Sequence, residues 1–187
     1  MELHIKNLCK SFDGRPVLEN VTFTAGPGVT CVMAPSGAGK TTLLRILLGL
    51  ERPDGGNVPG GIRWAAVFQE DRLLEQLDAM GNLRFVLGPA LDESAAMALL
   101  TELGLGDTAG KPVREFSGGM KRRLALARAL LAPADALALD EPFTGLDEEN
   151  RARCQACVRR VGEEKPVLLV THDPADAQAL DAAVVKL

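Results

Sequence analysis

Short, mainly apolar runs recur along this chain, two of them rich in valine, and they predict buried strands. Three such runs occupy residues 29–33, 136–139 and 167–170. Each is separated from the next by stretches with helical spacing. This alternation is typical of an α/β fold with a parallel sheet, because parallel strands need crossover connections.

Other segments have weaker or different patterns. Alternating apolar and polar residues predict strands at 2–10 and 17–24, with a turn at 11–16. Residues 51–61 are rich in glycine and proline, so they predict a loop or a poorly formed hairpin. Further strands are predicted at 62–68 and 183–187, and helices at 43–49, 83–87, 94–103, 121–131, 150–158 and 174–180.

Composition suits one folded unit with room for a small subdomain. The chain has 187 residues, of which 47% are hydrophobic and 25% are charged. Its net charge of −4 gives no general basic surface, so we expect no nucleic-acid partner. The N-terminus predicts no signal peptide, and charged residues interrupt every apolar stretch too soon for a bilayer span. We therefore expect a soluble, cytoplasmic protein whose membrane role, if any, depends on a partner.

A phosphate-binding loop is predicted between the strand at 29–33 and the helix that follows. Small residues let backbone N–H groups turn toward phosphates, and the helix N-terminus adds partial positive charge. Lys40 would reach the β- and γ-phosphates of a nucleotide, and the Thr41 hydroxyl would ligate Mg²⁺. The alternative is a chance glycine-rich turn. The candidate nucleotide-binding residues are Pro35, Ser36, Gly37, Ala38, Gly39, Lys40, Thr41 and Thr42.

Polar residues follow the carboxyl ends of three predicted strands, where open α/β sheets bind ligands. Asp140 and Glu141 end the strand at 136–139, in the Walker B arrangement. Asp140 would hold Mg²⁺, and Glu141 would act as general base toward the attacking water. Gln69 and His172 occupy the corresponding positions after 62–68 and 167–170. The alternatives are surface acids and a structural histidine.

Three further features have competing interpretations. Phe12, in the predicted turn, could stack on adenine or pack as a hairpin phenylalanine. Cys154 and Cys157 form a C-x-x-C that suggests a metal or redox site, but two apolar residues on one helix face are the favoured interpretation. Three basic residues open the helix at 121–131, against the helix dipole, so an anionic ligand or partner is expected there.

Taken together, the motifs resemble those of the ATP-binding cassette (ABC) ATPases over nearly the whole chain. The most specific element is the signature at residues 116–120, because many other NTPases share a phosphate loop. The motifs appear in family order, namely Phe12, the phosphate loop, Gln69, the signature, Asp140 with Glu141, the turn at 144–147 and His172.

The resemblance implies roles for individual residues. Phe12 would stack on adenine, Gln69 would contact Mg²⁺ or the attacking water, and His172 would hold the γ-phosphate. Ser117, Gly118 and Gly119 would bind ATP held by a second copy. The site would then be complete only in a head-to-tail dimer with two ATP molecules, and the same anion would account for the basic helix start.

The implied fold is a phosphate-loop NTPase core with a parallel sheet, a small trimmed antiparallel β subdomain and an inserted α-helical subdomain. One domain would span 1–187, with the antiparallel part within 1–70, the helical part at about 71–132 and the core continued at 133–187. Ala34, Phe116 and Met120 depart from the family pattern, and we expect activity to survive these changes. The chain is short for the family, and no regulatory C-terminal domain is expected.

Residues 67–74 and 81–83 resemble importer subunits for nitrate, sulfonate, taurine or thiamine precursors. The resemblance implies the ATPase subunit of a bacterial transporter on the cytoplasmic face of the membrane, with its permease and solute-binding protein as separate chains. The second cassette would be identical or different, and residues 71–91 would contact the permease. A non-transport ABC ATPase of DNA repair or translation and a phosphate-loop kinase are the alternatives.

Overall fold

The computed structural model describes residues 1–35 and 37–187. Its strands are β1 (Leu3–Phe12), β2 (Arg15–Ala25), β3 (Gly28–Met33), β4 (Gly55–Asn57), β5 (Trp64–Val67), β6 (Ala136–Asp140), β7 (Pro166–Val170) and β8 (Ala183–Lys186). Its helices are α1 (Lys40–Leu47), α2 (Ala79–Leu87), α3 (Glu93–Glu102), α4 (Gly118–Leu131), α5 (Glu148–Gly162) and α6 (Pro174–Ala179). The mixed α/β class predicted from the sequence is confirmed.

A parallel sheet with the strand order β5-β6-β7-β3-β8 forms the centre of the described part of the chain. Every residue of β6 and β7 is buried. One face of these strands packs against α4 and α5, and the other packs against α1 and the strands β1 and β2. The buried strands predicted from the apolar runs are therefore confirmed. All carboxyl ends lie at one edge, so the segments that follow β3, β5, β6 and β7 meet there.

A small antiparallel sheet, in the order β2-β1-β4, packs beside this core. The turn between β1 and β2 is only Asp13-Gly14, with φ of 49° and 75°, as in a tight two-residue hairpin. The longer turn predicted at 11–16 is therefore wrong, since both strands extend to the hairpin. Phe12 is the last residue of β1.

Residues 51–61 contain a strand, although the sequence indicated a loop or a poorly formed hairpin. β4 pairs with β1 through Lys6↔Asn57 and Cys9↔Gly55. Gly56 has a φ of 85°, and a Cβ there would lie 2.3 Å from the carbonyl oxygen of Asn7. The short strand therefore depends on a glycine that lets two backbones approach closely.

Helices α2, α3 and α4 begin earlier than their apolar spacing predicted, because a side chain caps each N-terminus. Asp78 accepts from the N–H of Gly81, Asp92 accepts from Ser94 and Ala95, and Ser117 accepts from Met120. A cap satisfies backbone donors that the first turn leaves free, so a helix can start on weak helix formers such as glycine.

The two cysteines of the C-x-x-C lie in the hydrophobic core, on the buried face of α5. Burial raises the pKa of Cys154 to about 12 and that of Cys157 to about 11, so neither thiol is reactive near neutral pH. Within the described residues there is no cluster of three metal-ligating side chains. The prediction that they act as small apolar residues is confirmed.

A buried carboxylate holds the segment after β7 in place. Asp176 is 3% exposed, and it accepts hydrogen bonds from the Arg151 guanidinium at 2.6 Å and from the Thr171 hydroxyl at 2.8 Å. Arg151 also pairs with Asp173. These contacts join α5, the end of β7 and α6, and His172 lies between Thr171 and Asp173. The fold therefore fixes the backbone that carries His172.

Replacing the buried carboxylate should lower global stability. We expect Asp176→Asn to reduce the free energy of unfolding by about 2 to 3 kcal/mol, because it removes a charged acceptor and leaves buried donors poorly paired. Urea denaturation followed by circular dichroism measures this. Asp181→Asn makes the same charge change at an exposed position and should stay within about 0.5 kcal/mol. Equal urea midpoints for the two variants would contradict the prediction.

Candidate active site

A cleft opens at the carboxyl edge of the parallel sheet, and it brings together most of the residues that the sequence singled out. The structure therefore assembles segments that are more than 100 residues apart in the chain. The residues that line it are Val17, Gly37, Gly39, Lys40, Thr41, Thr42, Gln69, Glu141 and His172.

The loop after β3 depends on glycine at its junction with α1. Gly39 has a φ of 86°, and a Cβ there would lie 2.6 Å from the carbonyl oxygen of Val17. Ala34 lies outside the positive-φ region, so its methyl group causes no strain where the family pattern has glycine. Ser36, a predicted nucleotide-binding residue, lies outside the described residues.

The Lys40 side chain folds back over its own loop. Its ammonium donates to the carbonyl oxygens of Ala34 at 2.6 Å and of Pro35 at 3.0 Å. A third contact, from the Ala38 N–H to the Pro35 carbonyl at 3.2 Å, closes a turn within the loop. In this conformation the ammonium lines the cleft, where an anion can replace the two carbonyl oxygens as its hydrogen-bond acceptor.

The Thr41 hydroxyl donates to Oδ2 of Asp140 at 3.0 Å. Asp140 is 1% exposed, and burial raises the pKa of its carboxyl although the Thr41 hydrogen bond opposes this. Among the described residues, its other oxygen, Oδ1, is buried and has no hydrogen-bond partner. A hydroxyl and a carboxylate with one open oxygen fit Mg²⁺, which commonly binds one or two carboxylates together with phosphates.

Glu141 lies next to Asp140 in an uncommon backbone conformation. Its φ is 49°, and its N–H donates to the carbonyl of Val170 at 2.9 Å. Its Oε1 lies 2.8 Å from Nδ1 of His172. This hydrogen bond, with the Glu141 charge, raises the pKa of His172. The carboxylate is thus held beside the cleft in contact with the exposed histidine.

The glycines of the signature line a second, adjoining cleft. Gly118 and Gly119 share it with Gln69, Glu141 and His172. Ser117 caps α4 and is exposed, but it does not line either of these clefts. Its placement is compatible with contact to a second molecule, and the structure does not bring it to the Lys40 loop of its own chain.

The basic residues at the start of α4 are occupied by contacts within the chain. Lys121 pairs with Glu75 at 2.9 Å, and Arg123 donates to the carbonyl of Leu103 at 2.6 Å. Arg122 is buried and donates to several carbonyls. Backbone carbonyls and carboxylates already compensate these charges, so they do not themselves indicate an anion, and the anionic ligand at this helix start stays a prediction.

Phe12 does not line either cleft. Its ring is 43% exposed, and the Lys10 ammonium lies 4.9 Å from the ring centroid. Val17 forms the wall beside Gly39 instead. The sequence analysis missed Val17 of the first cleft and Asp71 of the second as lining residues. It named the turn at 144–147 and the basic residues at 121–123, but it did not place Thr144, Gly145 or Arg122 in this cleft. Asp71 lies two residues after Gln69, which was an available signal, whereas Val17 had none.

Comparison with known proteins gives a consistent family. The family pattern described as ABC transporter matches residues 18–144. The aliphatic sulfonates import ATP-binding protein SsuB 1 of Rhodococcus jostii is 42% identical over 180 residues, which cover 91% of this chain and 73% of the relative. The SsuB protein of Delftia acidovorans is 39% identical over 191 residues, covering 99% and 79%.

Solved structures agree in fold. An ATP-binding subunit of an ABC transporter superposes with a TM-score of 0.88 at 26% identity, covering all of this chain and 86% of the other. A putative ABC transporter ATP-binding protein from Pyrococcus furiosus has the same TM-score at 24% identity, covering 100% and 98%. The family match spans more than half of the chain. This chain therefore belongs to the ABC transporter family, as one of the ATP-binding subunits that hydrolyse ATP for transport.

Proposed function

We propose that this chain binds and hydrolyses Mg²⁺-ATP for an importer of small anionic solutes, with aliphatic sulfonates as the first candidate. The observation that carries the catalytic part is the buried Oδ1 of Asp140. It has no hydrogen-bond partner among the described residues, while the other oxygen of the same carboxylate accepts from the Thr41 hydroxyl. The sulfonate part rests on what the Rhodococcus and Delftia relatives are named for.

The chain's own residues divide the chemistry among them. Lys40 exchanges its loop carbonyls for the β- and γ-phosphates, and backbone N–H groups of the loop and of α1 complete the cradle. Thr41 and Asp140 hold Mg²⁺, with Gln69 as the further candidate ligand. When bound, the ion neutralises charge on the phosphates. Each of these groups acts on charge that develops during transfer of the γ-phosphoryl group.

Glu141 is the proposed general base, because a carboxylate at the cleft wall can accept a proton from the attacking water. Gln69 orients that water, and His172 contacts the γ-phosphate. In the structure the Glu141 carboxylate is paired with Nδ1 of His172. Nucleotide binding would therefore separate the two side chains, so each becomes available for its own contact.

Two copies assemble head to tail in this proposal. Ser117 and Gly118 are exposed at the start of α4, a helix of 14 residues whose first-turn N–H groups have no partner within the helix backbone. These donors and the hydroxyl can bind the γ-phosphate held in the partner's cleft. The site would then contain the Lys40 loop of one copy and the signature of the other.

In this proposal the helical part of the chain binds the membrane-embedded permease. Phe85 and Val86 on α2 are 71% and 52% exposed, and Met97 on α3 is 41% exposed. Among the described residues, no helix is long and apolar enough to cross a bilayer. We assign the α2 surface to the permease, on the cytoplasmic face, with a separate solute-binding protein. The segment at 71–91 follows Gln69 directly, so movement at the γ-phosphate reaches it.

Removing the ammonium of Lys40 should abolish turnover. We expect Lys40→Ala to lower kcat at least about 10²-fold, because loss of one preorganised donor to a developing negative charge has that size of effect. Phosphate release in the presence of Mg²⁺ measures it. Lys111→Ala removes an exposed lysine far from the cleft and should leave the rate unchanged. Wild-type turnover by Lys40→Ala would contradict the assignment of the loop.

Glu141→Gln should separate ATP binding from hydrolysis. Glutamine cannot accept the proton, so we expect hydrolysis to fall by about 10² to 10⁴ while binding is retained. ATP that binds only the associated form should then stabilise a dimer. Size-exclusion chromatography with light scattering should find monomer without nucleotide and dimer with ATP, whereas Glu19→Gln should behave as wild type. Slow hydrolysis by a protein that stays monomeric at saturating ATP would overturn the shared site.

The contact between Glu141 and His172 should be visible in the titration of the histidine. Without nucleotide, we expect the His172 ring to titrate above its ordinary pKa of 6.5 and Glu141→Gln to lower the midpoint. The hydrogen bond and charge of Glu141 have the largest effect on this pKa and raise it; desolvation lowers it, and the smaller effects of Asp173 and Lys40 raise and lower it, respectively. The ring is thus protonated at low pH and loses its pairing as pH rises through the raised pKa. NMR of the ring across a pH series measures this, and an unchanged midpoint in the variant would contradict the contact.

A further inference from the structure

The ladder between β5 and β6 ends just before the catalytic edge. The last paired residues are Val67 and Leu139, although β6 continues beside β7 to Asp140. The two strand ends that follow are residues 68–69 and 140–141. Their carbonyl groups face a region where strand pairing no longer supplies donors, and buried carbonyls need partners.

Arg122 of α4 supplies those partners. Its side chain is buried, and its Nη2 donates to the carbonyl oxygens of Asp140 and Glu141, both at 2.6 Å. Its Nη1 donates to the carbonyls of Phe68 at 2.5 Å and Gln69 at 3.3 Å. One planar guanidinium therefore bridges the two strand ends, with one nitrogen on each.

A nearby carboxylate also balances the positive charge of the Arg122 guanidinium. Asp71 lies on the Gln69 side, with its Oδ1 3.1 Å from Nη1. A buried arginine with a carboxylate and several carbonyls around it has the partners that a buried charge requires. Both terminal nitrogens of Arg122 are therefore engaged, and the forked geometry of the guanidinium allows it to contact both strand ends.

The bridge also stabilises the unusual backbone at Glu141. A non-glycine residue with a φ of 49° lies in a sparsely populated region, and it persists only where its surroundings hold it. Arg122 binds the carbonyl on each side of that residue's Cα, namely those of Asp140 and Glu141. The orientation of the Glu141 side chain relative to the backbone therefore depends on Arg122.

We propose that Arg122 is a positioning residue for hydrolysis, which sets the spacing between Gln69 and the Glu141 carboxylate. The inference rests on the proposed function, because it assigns those two side chains to the attacking water. Arg122 lies five residues after Ser117 on the same helix. A shift of the signature on binding a partner's ATP would therefore be passed by α4 to Arg122 and so to this chain's own Glu141.

The proposal predicts a loss in kcat without a loss in ATP affinity. None of the Arg122 contacts involves the Lys40 loop, so ground-state binding should be preserved. Misplacement of a reacting group by about 1 Å can cost about 10²-fold in rate. We expect Arg122→Met to lower kcat by about that factor, with KM and the affinity for a fluorescent ATP analogue within about twofold of wild type.

Arg128→Met is the matched control. Arg128 lies on the same helix and donates to the carbonyls of Asp71 and Arg72, each at 2.8 Å, so it anchors only the Gln69 side. Its replacement removes a partly buried arginine without touching the end of β6, and kcat should stay within about threefold of wild type. Arg122→Lys keeps the charge but has a single nitrogen, so an intermediate loss is expected. This variant also tests the proposal if Arg122→Met does not fold.

A double variant separates positioning from general stability. In a Glu141→Gln background, Arg122→Met should lower single-turnover hydrolysis by less than about threefold, because it acts through a base that is already absent. A full additional loss would mean that Arg122 acts elsewhere and would overturn the proposal. So would a kcat for Arg122→Met that equals that of Arg128→Met. Failure of the function proposed above would appear differently, as absence of ATP hydrolysis in the wild type.

Discussion

The hydrogen bond between Thr41 and Asp140 joins the first turn of α1 to the end of β6, and the rest of the site is arranged around it. The sheet places β7 between β6 and β3, so this contact spans a whole strand at the catalytic edge. It is possible only because parallel strands end together and because β6 is buried up to its last residue. A carboxylate so deeply buried needs a strong partner, which makes this position suited to a cation.

Backbone carbonyls bound to arginine are the second recurring feature. Three arginines of α4 donate to carbonyls of the loops around residues 68–72, 103–104 and 140–141. Strand ends and helix ends leave such carbonyls without ladder partners, and the forked guanidinium can satisfy two at once. The helical part of the chain therefore contacts the catalytic edge through hydrogen bonds as well as through apolar packing. Through Arg122, α4 binds the backbone of both Gln69 and Glu141 directly.

Local pattern was sufficient for much of the fold. The runs that form β3, β6 and β7 are too apolar to be stable in water, so their composition alone indicates buried strands. The same holds for the polar residues at their carboxyl ends, because Asp140 ends β6 and Lys40, Glu141 and His172 lie one to seven residues after a strand. A site made at one edge of a parallel sheet can thus be predicted from motifs that are distant in sequence.

The sequence by itself determined the buried strands, the phosphate-binding chemistry of the loop after β3 and the family, since each of these is encoded in adjacent residues. Only the tertiary structure decided the partners. β4 exists because Gly56 can approach the backbone of Asn7, and Val17 of β2, rather than Phe12 at the end of β1, lines the cleft. Arg122 and Arg123 looked available for an anion, yet they donate to carbonyls up to 54 residues away in the sequence. Such contacts depend on which segments the folded chain brings together, and no local pattern records that.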